Sequence, residues 1–177
     1  MFEANFFGAL SLTRAVLPHM RERGSGHVIN NSSQAGIMAN PGTGFYSASK
    51  HALEGLMEAL AKEVAPLGIK VSSVQPGAFR TDWSGRSMQR SPLRLDAYQE
   101  QVHSRLDMIA EMDGKQPGDP VRAAQIIVDL YSMDEPPVQL LLGAGVLATY
   151  RDKLRQVLEN LDRWEALTVS ADYPRED

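Results

Sequence analysis

A long helix between two short strands is the feature that most restricts the fold of this chain. Apolar and small residues recur at helical spacing over residues 46–64, and the sequence Pro66-Leu67-Gly68 ends that run. Residues 27–31 before the helix and 69–74 after it have the length and composition of strands. A strand-helix-strand unit favours two parallel strands joined by a right-handed crossover. The sequence therefore predicts an α/β fold.

The remaining residues extend this unit without any repeat or linker. Asp119 and Pro120 form a typical helix start, with an N-cap followed by proline at the first helical position. Further helices are predicted at 5–23, 95–111 and 144–167, and a third strand at 138–142. We predict one domain over residues 1–177, with an inserted loop and helix at 82–117 and a loose tail at 170–177.

Composition excludes several classes of function. The net charge of -4 and the pI of about 5.6 argue against a broad nucleic-acid surface. The chain has no cysteine, and its four histidines lack the spacing of metal ligands, so no metal site is predicted. No apolar run is long enough for a transmembrane helix, and the first residues lack the basic region of a signal peptide. We predict a cytoplasmic protein without membrane partners.

Tyr46 and Lys50 are the residues with the clearest chemical potential. They stand at positions i and i+4 of the long predicted helix, so both side chains project from one face about a turn apart. An ammonium beside a phenol stabilises the phenolate, and such a pair can donate or accept a proton near neutral pH. The alternative is an ordinary Tyr and Lys on a helix surface.

Two further segments fall where an active site is expected. In a parallel sheet, ligands bind at the carboxyl ends of the strands. Ser33 follows the first predicted strand, and Pro76-Gly77 follows the second. Ser33 can alternatively be a loop hydroxyl that caps a turn.

A glycine-rich segment further along imitates a nucleotide-binding motif. Residues 143–148 match the GxGxxG/A pattern, follow a predicted strand and open a helix. The motif requires a second strand after that helix, with an acidic residue at its end. Here only a short tail follows, so we interpret the segment as a strand-to-helix turn.

Taken together, four segments resemble the short-chain dehydrogenase/reductase family. They are Asn5 in "EANFFGALSLTRAVLPHM", Ser33 in "GHVINNSSQAG", Tyr46 and Lys50 in "YSASK", and the segment "VSSVQPGAFRTD". Their order and spacing both fit the family. The resemblance implies a Rossmann-like, doubly wound parallel sheet and an NAD- or NADP-dependent oxidoreductase acting on a small alcohol or carbonyl compound.

The family assigns a role to each matching residue. Tyr46 would be the general acid/base, and Lys50 would stabilise its phenolate and bind the nicotinamide ribose. Ser33 would hold the substrate oxygen, and Asn5 would anchor a water that links Lys50 to solvent; a helix cap is the alternative for Asn5. Cofactor contacts would also come from the segment after the second strand, at Pro76, Gly77, Phe79 and Thr81. The segment after Thr81 would close over the substrate.

The sequence also departs from the family pattern. No TGxxxGxG turn for the cofactor pyrophosphate precedes Asn5, and three strands are predicted where the family sheet has seven. We therefore predict an N-terminally truncated member, with about a hundred residues of preceding βα units absent. A competing hypothesis is a catalytically silent interaction module. In either case the helix at 46–64 is predicted to mediate homo-oligomerisation, and the substrate and the choice between NAD and NADP stay open.

Overall fold

The computed structural model describes residues 1–89, 91–92 and 94–173. Arg90 and Leu93 of the predicted insertion at 82–117, and residues 174–177 of the predicted tail, lie outside the described residues.

A parallel three-stranded sheet forms the centre of the described chain. Its strands follow the order β1-β2-β3, and they are β1 (Gly26–Asn31), β2 (Ile69–Pro76) and β3 (Gln139–Leu142). Val28 pairs with Val71 and Asn31 with Val74, so β1 and β2 end at the same edge of the sheet. The predicted α/β architecture is confirmed, and the third strand begins one residue later than expected.

Helices cover both faces of this sheet. The α-helices of the described chain are α1 (Gly8–Arg23), α2 (Gly44–Val64), α3 (Ser104–Glu111), α4 (Pro120–Tyr131) and α5 (Ala144–Val169). On one face, Leu53 and Met57 of α2 pack in a buried cluster with Val71, and α1 adds partly buried side chains. On the other face, Leu130 of α4 packs with Val74 of β2. The arrangement is doubly wound.

Side-chain alternation along β2 directs polar groups as well as apolar ones to these faces. Val71, Ser73 and Gln75 point towards α2, whereas Val74 points towards α4. Ser73 and Gln75 are both 1% exposed. The face of β2 beneath α2 therefore changes from apolar to polar as the strand approaches its carboxyl end.

The first helical segment begins earlier than predicted. A π-helical turn at Glu3–Phe7 precedes α1, and the backbone N–H of Asn5 donates to the carbonyl of Met1. Phe6 packs against the buried cluster of α2, which extends the helix upstream. Asn5 thus lies inside a helical turn, and its alternative interpretation as a helix cap is wrong.

The helix predicted at 95–111 is shorter than expected. Leu95 is extended, because its N–H donates to the buried ring of His103 at 3.1 Å. A 3-10 turn at Asp96–Tyr98 and a π-helical turn at Gln99–His103 follow, and the regular helix α3 begins only at Ser104. A helical hydrophobic pattern cannot distinguish these tighter and wider turns from an α-helix.

Candidate active site

The carboxyl ends of β1 and β2 form the floor of the candidate site. The N–H of Ser32 donates to the carbonyl of Val74 at 2.8 Å, and the N–H of Gly77 donates to Leu142 at 3.0 Å. These bonds fix the two segments that leave the strands, the Ser33 loop and the segment from Pro76 to Thr81. The residues expected from the strand-end rule therefore lie at one edge of the sheet.

The Ser33 loop packs directly against α2. A Cβ at Gly36 would lie 2.9 Å from Cγ of Glu54 and 3.1 Å from the carbonyl oxygen of Lys50. Only glycine leaves space for this close approach. The Ser33 hydroxyl accepts a hydrogen bond from the N–H of Ala35 at 3.1 Å, so its own proton remains available for another acceptor.

Tyr46 lies in the first turn of α2, half-buried. Its ring contacts the indole of Trp83, with centroids 5.7 Å apart and planes inclined at 47°. Trp83 follows the Pro76–Thr81 segment, so one aromatic contact connects α2 to the segment that leaves β2. This contact restricts the orientation of the phenol ring.

Lys50 lies one turn further along α2 and is only 9% exposed. Its ammonium donates to the carbonyl of Asn31, the last residue of β1, at 2.9 Å. An ammonium has three donors, so two N–H groups remain for other acceptors. Burial lowers the pKa of Lys50 from its ordinary value, and the carboxylate of Glu54 opposes that shift.

Glu54 is a buried carboxylate that the sequence interpretation missed. It is 6% exposed and accepts hydrogen bonds from Ser73 Oγ at 2.7 Å and from Gln75 Nε2 at 2.7 Å. Gln139 of β3 adds a longer bond of 3.3 Å. One side chain of α2 is therefore connected to two neighbouring strands. Its i,i+4 relation to Lys50 was the available signal.

Asn5 also contacts α2. Its amide nitrogen donates to Ser49 Oγ at 3.0 Å, and Ser49 donates in turn to the carbonyl of Tyr46 at 2.8 Å. Ser49 is fully buried. Through this bond to Ser49, Asn5 fixes the turn of α2 that carries Tyr46 and Lys50.

A cavity of about 540 Å³ opens above the strand ends. Most of the predicted site residues line it: Ser33, Tyr46, Pro76, Gly77, Phe79 and Thr81. Lys50 and Asn5 do not line it. Another part of its wall comes from one face of α3 and the C-cap residue that follows it, with Arg105, Met108, Ile109 and Met112 at helical spacing. That i, i+3, i+4, i+7 spacing could have identified the wall in the sequence.

Neither a metal centre nor a membrane-spanning helix is found among the described residues. Within residues 1–89, 91–92 and 94–173, no three His, Asp or Glu side chains lie close enough together to hold a metal ion. None of the described helices combines the length and apolarity required to cross a bilayer.

Comparison with known proteins identifies the family of this chain. The model of the short chain dehydrogenase family matches residues 1–91. An oxidoreductase named BOA17 from Botryotinia fuckeliana is 35% identical over 170 residues, covering 96% of this chain and 61% of that protein. The chain thus spans about three fifths of that relative's length.

Solved structures of the same family superpose on the described fold. A short-chain dehydrogenase from Streptomyces avermitilis is 40% identical, with a TM-score of 0.86 over 98% of this chain and 62% of that chain. A Burkholderia phymatum family member in complex with NAD has a TM-score of 0.72 over 90% of this chain and 58% of that chain. Its 22% identity indicates a common fold only.

Proposed function

Because this chain belongs to the short-chain dehydrogenase family, we propose that it interconverts an alcohol and a carbonyl compound with NAD or NADP, using Tyr46 as general acid/base. The observation that carries the proposal is the shared cavity. The phenol of Tyr46 and the hydroxyl of Ser33 line the same space as the segment from Pro76 to Thr81. A carbonyl oxygen between the two hydroxyls could receive hydrogen bonds from both.

The residues present fit the nicotinamide end of a dinucleotide. Pro76 and Phe79 provide apolar surface on the cavity wall, and the hydroxyl of Thr81 is a polar group on the same segment. Gly77 lies close to its neighbours, since a Cβ there would be 3.2 Å from Cβ of Val146. Lys50 has N–H groups left for ribose hydroxyls after its bond to Asn31. The bound cofactor would supply or accept the hydride.

In the direction of reduction, Tyr46 donates its phenolic proton to the substrate oxygen as that oxygen becomes a hydroxyl. Ser33 donates a hydrogen bond to the same oxygen with the proton that its bond to Ala35 leaves free. The positive charge of Lys50 stabilises the resulting phenolate. In oxidation the phenolate accepts the hydroxyl proton, and the same contacts operate in reverse.

Two supporting assignments belong to this proposal. Asn5, through Ser49, holds the turn of α2 that carries the acid/base pair, and a water relay from Asn5 to Lys50 stays a prediction. The segment 82–117 forms the substrate side of a single domain, because Trp83 and the cavity face of α3 both come from it. The cytoplasmic location also stays a prediction.

Replacement of Tyr46 tests the chemistry. Tyr46→Phe should lower kcat for NAD(P)-dependent turnover by roughly 10²–10⁴-fold, because general acid/base catalysis contributes about that much. Tyr131→Phe is the matched control, since Tyr131 is 74% exposed on α4 and lies away from the cavity. The assay follows reduced nicotinamide by its absorbance with a panel of alcohols and carbonyl compounds.

The same measurements separate the enzyme from a silent interaction module. Titration with NADH and NADPH, followed by fluorescence, reports cofactor binding independently of turnover. Undiminished turnover in Tyr46→Phe would contradict the assigned role. A folded chain with neither cofactor binding nor turnover would favour the interaction module.

We also propose that α2 pairs with the same helix of a second copy. Its outward face carries exposed small residues such as Ala48 and Ala59, which allow close helix approach, and Phe45 at its start is 82% exposed. Ala59→Arg should shift a dimer to a monomer in sedimentation equilibrium, and an unchanged mass would contradict the proposed interface.

A further inference from the structure

The cavity wall carries one charged group among otherwise neutral side chains. Arg105 is the only ionised side chain among the described residues that line the cavity. Its neighbours on the α3 face are Met108, Ile109 and Met112, and Phe79 and Leu142 add further apolar surface. Such a wall can accommodate an apolar body together with a single anionic group.

Arg105 has no partner within the described part of the chain. Its Nε is buried without a hydrogen-bond acceptor, and the guanidinium forms no ion pair there. Two other arginines of the region are satisfied: Arg94 pairs with Asp107 at 2.5 Å, and Arg80 donates to the carbonyl of Gln116 at 2.7 Å. A buried donor of a charged group that lacks an acceptor is unfavourable, so an external acceptor would stabilise it.

The position of Arg105 places this cation at one end of the cavity face of α3. The face extends from Arg105 to Met112, about 10 Å along the helix axis at 1.5 Å per residue. Leu106, the residue after Arg105, lies next to Gly42: a Cβ added at Gly42 would be 3.2 Å from the Leu106 side chain. The cationic end of the wall is therefore adjacent to the turn that leads into α2 and Tyr46.

We propose that the substrate combines an apolar body with an anionic group, a carboxylate, sulfate or phosphate, that is bound by Arg105. This inference rests on the proposed function, because it names the substrate class of that site. The planar guanidinium matches such oxyanions through two parallel N–H donors. The same chemistry could bind the diphosphate of the cofactor, and the experiment distinguishes the two sources.

Calorimetric titration of the whole chain with benzoylpropionate and with its methyl ester tests the substrate class. The two ligands share a ketone and a phenyl ring and differ in the anionic charge. The wild type should bind the acid at least about tenfold more tightly than the ester. Arg105→Gln should remove this preference, and Arg105→Lys should retain part of it. Arg155→Gln, on the outward surface of α5, is the control with the same loss of charge.

Several results would overturn the inference. They are equal affinities for acid and ester in the wild type, no binding of either ligand, or a preference that survives in Arg105→Gln. If acid and ester bind alike while Arg105→Gln weakens NADH binding about tenfold, the anion belongs to the cofactor and the substrate class is wrong. Thermal unfolding confirms that each variant is folded.

The comparison between acid and ester requires neither cofactor nor turnover. An acid preference in a chain that shows neither NAD(P)H binding nor turnover would therefore support the anion site and contradict the proposed function. The converse result, turnover without any acid preference, would support the enzyme and contradict the anion site.

Discussion

Removal of the Glu54 carboxylate should be among the most damaging single changes in this domain. In Glu54→Ala, Ser73 Oγ and Gln75 Nε2 lose their acceptor, and both side chains are 1% exposed. A buried polar group without a partner costs about 1–3 kcal/mol. Two such groups would together lower the free energy of unfolding by about 2–6 kcal/mol. Part of this loss is offset, because the variant no longer has to desolvate a buried carboxylate on folding. We expect a decrease of about 3–4 kcal/mol in the free energy of unfolding.

Urea unfolding followed by circular dichroism measures this loss, and the same helix provides the control. Glu58 stands one turn after Glu54 but is exposed and pairs with Lys62, so Glu58→Ala should change stability little. Glu54→Gln keeps one acceptor oxygen and should lose less than Glu54→Ala. Adding Ser73→Ala to Glu54→Ala removes one of the unpaired donors and should recover about 1 kcal/mol.

Two results would refute this reasoning. If Glu54→Ala costs no more than Glu58→Ala, the hydrogen bonds to β2 do not contribute to stability. If Ser73→Ala brings no recovery in the Glu54→Ala background, the loss does not come from unpaired donors. A third readout is the pKa of Lys50 by NMR titration, which should be lower in Glu54→Gln because the opposing carboxylate charge is gone.

Three further predictions concern other positions. Gly36→Ala should lower the free energy of unfolding, measured with urea, by about 1–3 kcal/mol, because its Cβ would lie 2.9 Å from Cγ of the hydrogen-bonded Glu54. Gly55→Ala should instead raise the free energy of unfolding by about 0.5–1 kcal/mol, because a Cβ at this position of α2 meets open space. Burial, together with the nearby charge of Lys70, lowers the pKa of His27, so the unfolded chain binds more protons below about pH 6.5. The free energy of unfolding should therefore fall as pH decreases through that window, and it should fall less in His27→Gln; identical pH dependence in the two proteins would contradict the assignment.

The sequence was sufficient for those parts of the fold that depend on local pattern. Strand-helix-strand order predicted the parallel pairing of β1 with β2, and the i,i+4 spacing of Tyr46 and Lys50 predicted one helix turn. The strand-end rule predicted that Ser33 and Pro76 lie at one edge of the sheet. These inferences succeed because backbone periodicity and chain connectivity determine them.

Contacts between distant segments could not be predicted in this way. Glu54 has the appearance of a solvated helix residue in the sequence, and it is buried only because Ser73, Gln75 and Gln139 converge on it from two strands. Arg105 belongs to a helix whose start was predicted wrongly, since the bond between Leu95 and His103 is invisible in a hydrophobic pattern. The orientation of a helix face against a cavity depends on such tertiary bonds.

The inner face of α2 connects the stability of the fold to the chemistry of the site. Burial of Lys50 favours loss of its proton, yet the negative charge of Glu54 one turn away favours keeping it. Neutral donors from β2 and β3 supply hydrogen bonds to the oxygens of that carboxylate. A single hydrogen-bond network thus attaches α2 to the sheet and supports a positive charge one turn from Tyr46. For that reason we expect substitutions in this network to change proton transfer and stability together.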